Sequence, residues 1–171
     1  MTASSATHDA GDEGMPGKLQ AEIQQTKPLG SLEEEAFLNV QRTANVLSQG
    51  MAELLKEHDL TQTQYNVLRI LRGAGEKGLN AGDIAGRMIT RDPDVTRLLD
   101  RLEKRGLVER WRCTEDRRVV WTRITPAGLE ALAPLDAPVH ALHVTQLKHL
   151  GRDRLTDLIE LLEAAREVVE G

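Results

Sequence analysis

Between Gly106 and Thr125 the apolar pattern changes period, while the sequence on either side keeps helical spacing. Leu107 to Arg112 and Val119 to Ile124 alternate with a period of two, and a polar, charged turn from Thr114 to Arg118 separates them. That pattern predicts two short strands joined as a hairpin. A lone hairpin is marginal in water and must be backed by other elements. In the register that sets Cys113 against Val119, Trp111 faces Trp121, and an aromatic cross-strand pair contributes roughly 0.5–1 kcal/mol. One hairpin set among helices restricts the chain to mainly α (α+β) folds.

Residues 1–30 read as a flexible tail of Ser, Thr, Gly, Ala and Asp with almost nothing to drive burial. Lys18 to Thr26 has the pattern of a short helix. Ser31 and Glu34 have capping-box spacing, and Phe37, Val40, Ala44, Leu47, Met51, Leu54 and Leu55 then form one apolar stripe ending near His58. A helix this long at the edge of a small domain suits packing against a second subunit. Thr61 and Gln64 repeat the capping spacing and open a helix with core positions Tyr65, Leu68, Ile70 and Leu71, closed by Gly73 to Gly78. Asn80 caps a short helix with Ile84, Ala85 and Met88 inward. Asp92 as N-cap, with Pro93 at the first helical position, opens the next helix. That helix runs to about Arg105, where Gly106 stops it. After the hairpin, Thr125-Pro126 restarts helix, with interruptions at Pro134, Pro138 and Gly151, giving two further helices. Leu155, Leu158, Ile159, Leu162 and Ala165 make the last apolar stripe.

The expected order is therefore four helices, a hairpin and two helices. Three short helices followed by a hairpin is a winged helix-turn-helix. The expected organisation is a tail (1–30), a first dimerisation helix (31–58), a DNA-binding lobe (59–125) and C-terminal dimerisation helices (126–171).

The net charge of −5 argues at first against nucleic acid. Its distribution answers that objection: Ala81 to Arg123 holds eleven Arg and Lys against eight Asp and Glu, so the surplus of acid lies elsewhere. A basic middle in an acidic frame suits a DNA-binding module. Phe37, Tyr65, Trp111 and Trp121 are the whole aromatic complement, too few to stack single-stranded bases, which favours duplex DNA. No stretch approaches the roughly 20 apolar residues of a membrane span. No secretion signal is visible, and the single cysteine cannot form an internal disulfide, so the cytoplasm is the expected compartment. Phosphate-cradling loops, nucleophile elbows and metal-protease motifs are not found, and an enzyme is not expected.

The stretch Val-Thr-Arg-Leu-Leu-Asp-Arg-Leu-Glu-Lys-Arg-Gly-Leu-Val-Glu-Arg from Val95, then Glu-Asp-Arg-Arg, then Ile-Thr-Pro-Ala-Gly, resembles the MarR family of bacterial regulators. Asp116 and Arg118 match its hairpin-tip Asp-x-Arg, and Thr125 to Gly128 its Thr-Pro-x-Gly. The resemblance runs from about Leu32 to the C-terminus. It implies a homodimeric transcription factor, usually a repressor, released from a pseudo-palindromic operator by a small ligand. In relatives that ligand is frequently an aromatic or phenolic anion, held between the dimer helices and the DNA-binding lobe, where Asn45 and Tyr65 are the candidate contacts. Both residues are equally well explained as packing. No cofactor is implied.

The residues themselves suggest the same DNA contacts. With Val95, Leu98, Leu99 and Leu102 inward, Arg91, Asp94, Thr96, Arg97 and Arg101 fall on outward or flanking faces. Arginine there can grip guanine or phosphate, and Asp94 can accept from a cytosine amine. Arg117 and Arg118 at the wing tip can enter a minor groove, with Asp116 orienting Arg118. Arg87, Lys104 and Arg105 are candidate phosphate contacts. The plainer alternative is a charge-laced solvated helix face and a turn salt bridge. A winged helix that binds protein instead of DNA is a second alternative, and a metal sensor using His140 and His143 a third. Cys113 reads as a structural strand residue more readily than as a redox switch, because no resolving partner is in sight.

Overall fold

The computed structural model describes residues 18–90 and 94–167. They fall in two compact units divided between Val46 and Leu47. In the first, α1 (Lys18–Glu22) buries Leu19, which the composition of the tail gave no reason to expect. The Gln20 side-chain amide donates to the carbonyls of Gln25 and Lys27 at 3.3 and 3.2 Å and closes the following turn. Helix α2 (Leu32–Lys56) begins as predicted, with Ser31 Oγ accepting from the Glu34 amide at 3.2 Å. The return bond is displaced by one residue: Glu34 accepts from Gly30 N–H, at 2.7 Å. Phe37 and Val40, on the expected apolar stripe, are exposed in the single chain.

The second unit holds the core. Helix α3 (Gln62–Ala74) carries the complete Thr61–Gln64 capping box, with bonds of 3.2 and 3.0 Å. Asn80 caps α4 (Ala81–Arg87) through the Asp83 amide at 2.9 Å. The next helix, α5 (Val95–Lys104), departs from expectation at its start. Its N-cap is Asp94, whose side chain accepts from the Arg97 amide at 3.1 Å, so the helix opens two residues later than Asp92 predicted. Asp92 and Pro93 lie outside the described residues, as does Arg91. Gly106, at φ 71°, ends the helix in a conformation that costs side-chain-bearing residues more than glycine.

Strands β2 (Val108–Arg112) and β3 (Val120–Ile124) pair antiparallel with Trp111 opposite Trp121, and the Cys113 amide donates to the Val119 carbonyl at 2.9 Å, the predicted register. A third strand, β1 (Leu79–Asn80), pairs with the other edge of β3, giving the order β1-β3-β2. Two residues are too few to show a period, so no local pattern signals it.

After the sheet come three helices where two were expected: α6 (Pro126–Leu132), α7 (Asp136–Leu147) and α8 (Gly151–Glu167). Thr125 caps α6 through the Gly128 amide at 3.1 Å. Pro138 does not interrupt. It sits in the first turn of α7, where amides have no intrahelical acceptor and proline is tolerated. Leu55, Leu68, Leu71, Ile84, Leu99, Leu102, Leu132 and Leu135 are fully buried in one cluster, joined by Val67, which the stripe had not included; Ile70 is only partly buried. Burying such side chains contributes roughly 1.5–3 kcal/mol each. Helix α8 has no buried residue. Among the described residues no helix is long and apolar enough to cross a membrane.

Candidate nucleic-acid interface

Val95, Leu98, Leu99 and Leu102 are all buried, so the 3.6-residue period forces Thr96, Arg97 and Arg101 onto the outer face of α5. The Arg97 side chain is 78% exposed, and its Nε lies 3.0 Å from Asp94 Oδ2. Asp94 thus both caps the helix and steadies Arg97, which engages the carboxylate expected from sequence to accept from a cytosine amine. A carboxylate at a helix N-terminus is also favoured by the helix dipole.

Helix α5 is locked to the sheet by Arg110 of β2. Its guanidinium bonds Asp100 at 2.6 Å and Glu103 at 2.6 and 2.9 Å, and these carboxylates hold it in the charged form. The sequence reading missed this residue, because an acidic pair on a helix and an arginine on the next strand give no local pattern. On the neighbouring pair, Arg123 bonds Glu109 at 2.6 Å and lies 5.2 Å over the Trp111 ring. A cation over an indole stiffens the wing further.

At the wing tip Arg117 and Arg118 are exposed. Asp116 bonds the main chain of the turn and not the Arg118 guanidinium: its Oδ1 accepts from Arg118 N–H at 2.9 Å, and its carbonyl accepts from the Val119 amide at 3.0 Å. Thr96 of α5 and Arg118 of the wing line one open groove of about 480 Å³, with Asn80, Gly82 and Arg110 on its walls. On the other flank of α5, Arg97 and Arg101 share a hollow with Thr61 and Thr63 at the start of α3. These threonines were not singled out from sequence, where Thr61 is explained by its cap alone.

Arg87 and Lys104 are exposed. Arg105, a candidate phosphate contact, instead donates to the Asp59 carbonyl at 2.7 Å and ties the end of α5 to the turn after α2. The Cys113 thiol is drawn below its ordinary pKa by backbone amides of Asp116 and Glu115 and lies, partly buried, where β2 meets the turn at the wing tip.

A separate cavity of about 270 Å³ lies beside Tyr65. Its apolar wall includes Met51 and Ile89, and its polar wall Asn66, Arg69 and His143. The Arg69 guanidinium sits 5.7 Å over the Tyr65 ring. Asn45 is exposed on α2. His140 and His143, the pair a metal sensor would use, are both exposed, and His143 also lines the cavity. Among the described residues no three His, Cys, Asp or Glu side chains converge as a metal site. Arg69, Asn66 and Ile89 carry no motif and were not anticipated.

A helix bearing exposed arginines, preceded by two helices that pack in the same core and followed by a two-stranded wing, is a winged helix-turn-helix. Residues 60–120 match the MarR family. The chain is 30% identical to the homoprotocatechuate degradative operon repressor of Escherichia coli, over 69% of this chain and 83% of that one. It is 43% identical to a MarR transcription factor from Planctomyces limnophilus, whose crystal structure superposes with a TM-score of 0.62 over 80% of this chain and 98% of that chain. The S. aureus MepR–DNA complex shares the fold at a TM-score of 0.70 and 21% identity, covering 75% and 94% of the two chains. The chain belongs to the MarR family and is a transcriptional regulator, not an enzyme.

Proposed function

We propose that the protein is a homodimeric, sequence-specific duplex-DNA-binding repressor that a small anionic ligand releases from its operator. The observation that carries the DNA reading is the placement of Thr96 and Arg118 on one groove, with Arg97 and Arg101 on the opposite flank of the same helix. A helix in the major groove and an arginine-tipped wing reaching the minor groove use such a surface. In this reading Thr96, Arg97 and Arg101 meet the major groove, Arg118 and Arg117 the minor groove, and Arg87 and Arg91 the phosphates. Asp94 and Asp116 are positioning residues. MepR, of the same fold, has been solved on DNA, and the E. coli relative is a repressor.

The dimer reading rests on apolar surface left without cover in one chain: Phe37 and Val40 on α2, Ile159 and Leu161 on α8. Two copies would set their α5 helices in successive major grooves about 34 Å apart. The effector reading rests on the cavity beside Tyr65, where an apolar wall faces Arg69, His143 and three side-chain amides. That composition suits a compact apolar body with one anionic end, such as an aromatic carboxylate. The ligand acts by favouring a lobe spacing that mismatches the operator.

The test is a titration with duplex DNA from the upstream region of the protein's own gene, followed by tryptophan fluorescence at two salt concentrations. Trp111 and Trp121 both lie in the wing. Saturable, sequence-selective change that weakens steeply with salt is expected. Arg118→Ala should weaken binding to every duplex. An absence of binding by fluorescence and by gel shift would overturn the DNA reading and favour a protein-interaction role.

A further inference from the structure

The hollow on the flank of α5 away from the wing has more hydrogen-bond donors to offer than acceptors. It measures about 320 Å³ and is lined by Thr61, Thr63 and Gln64 at the start of α3 and by Asp94, Arg97 and Arg101 of α5 and its cap. Gln64 is only 9% exposed, yet its side-chain amide is half satisfied. Its Oε1 accepts from the Thr61 amide at 3.0 Å, while its Nε2 has no acceptor among the described residues. A buried donor left unmatched is destabilising unless something outside the chain accepts from it. Thr61 Oγ1 accepts from the Gln64 amide at 3.2 Å and lies 3.0 Å from Thr63 Oγ1. Whichever hydroxyl donates across that pair, the other keeps its proton for an outside acceptor. The amides of Gln62 and Thr63 stand in the first turn of α3, where no intrahelical carbonyl reaches them. Arg101 is exposed and forms no ion pair among the described residues. Asp94, the one carboxylate of the lining, is already engaged by Arg97 at 3.0 Å and by the amide it caps.

We propose that this hollow is a clamp for one backbone phosphate of the duplex, gripped by Arg101, Gln64 and the Thr61–Thr63 hydroxyl pair. This rests on the DNA-binding reading above and adds where the strand is held. The groups left over in the hollow are donors or cations, so the matching ligand carries negative charge and accepts hydrogen bonds from several directions. A phosphodiester does both: its two unesterified oxygens share one charge and take donors arriving from separate elements. The charges also match, because Arg97 and Arg101 against Asp94 leave one positive charge for one phosphodiester. The start of α3 adds first-turn amides and the positive end of a helix dipole, both of which favour an anion. The proposed function sets Arg101 in the major groove beside Thr96 and Arg97. In the clamp its guanidinium holds the phosphate on the edge of that groove, which leaves base contacts to Thr96 and Arg97. Gln64 thereby has two tasks, one for each end of its amide: its oxygen closes the capping box of α3, and its nitrogen faces the DNA strand.

Two substitutions test the clamp from its two helices. Arg101→Gln removes the charge at an exposed position of α5. Gln64→Glu preserves the capping box, in which glutamate serves as well as glutamine, but puts a carboxylate where the unmatched donor was. The full-length protein, both single variants and the double variant are titrated with the upstream duplex of the protein's own gene and with a random duplex, each at several salt concentrations, with thermal melts to report folding. Each single variant is expected to bind both duplexes about tenfold more weakly, as for loss of a charge-assisted hydrogen bond. The ratio of the two affinities should change less than about twofold, because a phosphate carries no sequence. For Arg101→Gln the plot of log affinity against log salt should be shallower by about 1. The double variant should lose less than the product of the single losses, since both act on one phosphate. Wild-type affinity and salt slope in either folded variant would overturn the clamp. So would a loss confined to the upstream duplex, which would make Arg101 a reader of bases. If Gln64→Glu does not fold, Arg101→Gln decides by affinity, ratio and slope. A wild type that binds neither duplex would overturn the DNA reading and the clamp with it, whereas failure of the clamp alone leaves wild-type binding intact.

Discussion

Thr122 lies in the middle strand at 1% exposure, and its hydroxyl has no hydrogen-bond partner among the described residues. A buried polar group without a partner costs stability, and replacing it by an apolar group of the same shape removes that cost. Thr122→Val is therefore expected to stabilise the fold by about 1 kcal/mol, read as a higher urea midpoint at unchanged slope. A lower midpoint would mean that the hydroxyl is satisfied by bound water. Gly128 shows the limit of reading single residues from sequence. Thr125-Pro126 announces a helix start, but the need for glycine three positions later comes from elsewhere in the chain. A Cβ at Gly128 would run into the Leu107 carbonyl oxygen and the Ile124 side chain, groups brought there by the hairpin. Asp116 is similar: its bond to the Arg118 amide depends on the turn geometry, which the sequence alone does not specify.

At the scale of elements, caps and apolar periods placed α3, α4, α5 and the hairpin, since those signals lie within one turn or one strand of the residues they govern. The errors fall where the signal is short or shared. The two-residue β1 has no period of its own, and of the interruptions expected at Pro134, Pro138 and Gly151 only that at Pro138 fails, since it falls in the first turn of α7. What joins elements was less visible still. Arg72 of α3 forms a two-pronged ion pair with Asp136 at the start of α7, at 2.9 and 2.8 Å across 64 positions. The Arg72 guanidinium holds the Asp136 carboxyl below its ordinary pKa. A depressed carboxylate pKa adds stability above the unfolded value, about 3.9, and that stability is lost as pH falls through the folded value. The tie should thus hold at neutral pH and weaken on acidification below about pH 4. Asp136→Asn should flatten that part of the stability-against-pH curve measured by chemical denaturation. Since Asp136 is more than half exposed, the effect should shrink in high salt. An unchanged acid limb would remove the pair from the account of how α7 is held.

For the molecule as a whole, Phe37 and Val40 of α2 and Ile159 and Leu161 of α8 are exposed, and the proposed dimer would cover them. In the proposed dimer Phe37→Glu should give a monomer by sedimentation at micromolar concentration. Its operator affinity should fall by about a hundredfold, because the second half-site contact is no longer intramolecular. A dimer that persists with full affinity would place the interface elsewhere. The sequence by itself determined the local elements and the outward face of α5, because periodicity, capping spacing and turn chemistry act over a few residues. The tertiary structure decided which arginines were already engaged, Arg105 with Asp59 and Arg110 with Asp100 and Glu103. It also decided that Asn66, Arg69, Ile89 and His143 share one cavity. Those groupings join residues distant along the chain, and their chemistry exists only once the helices have packed.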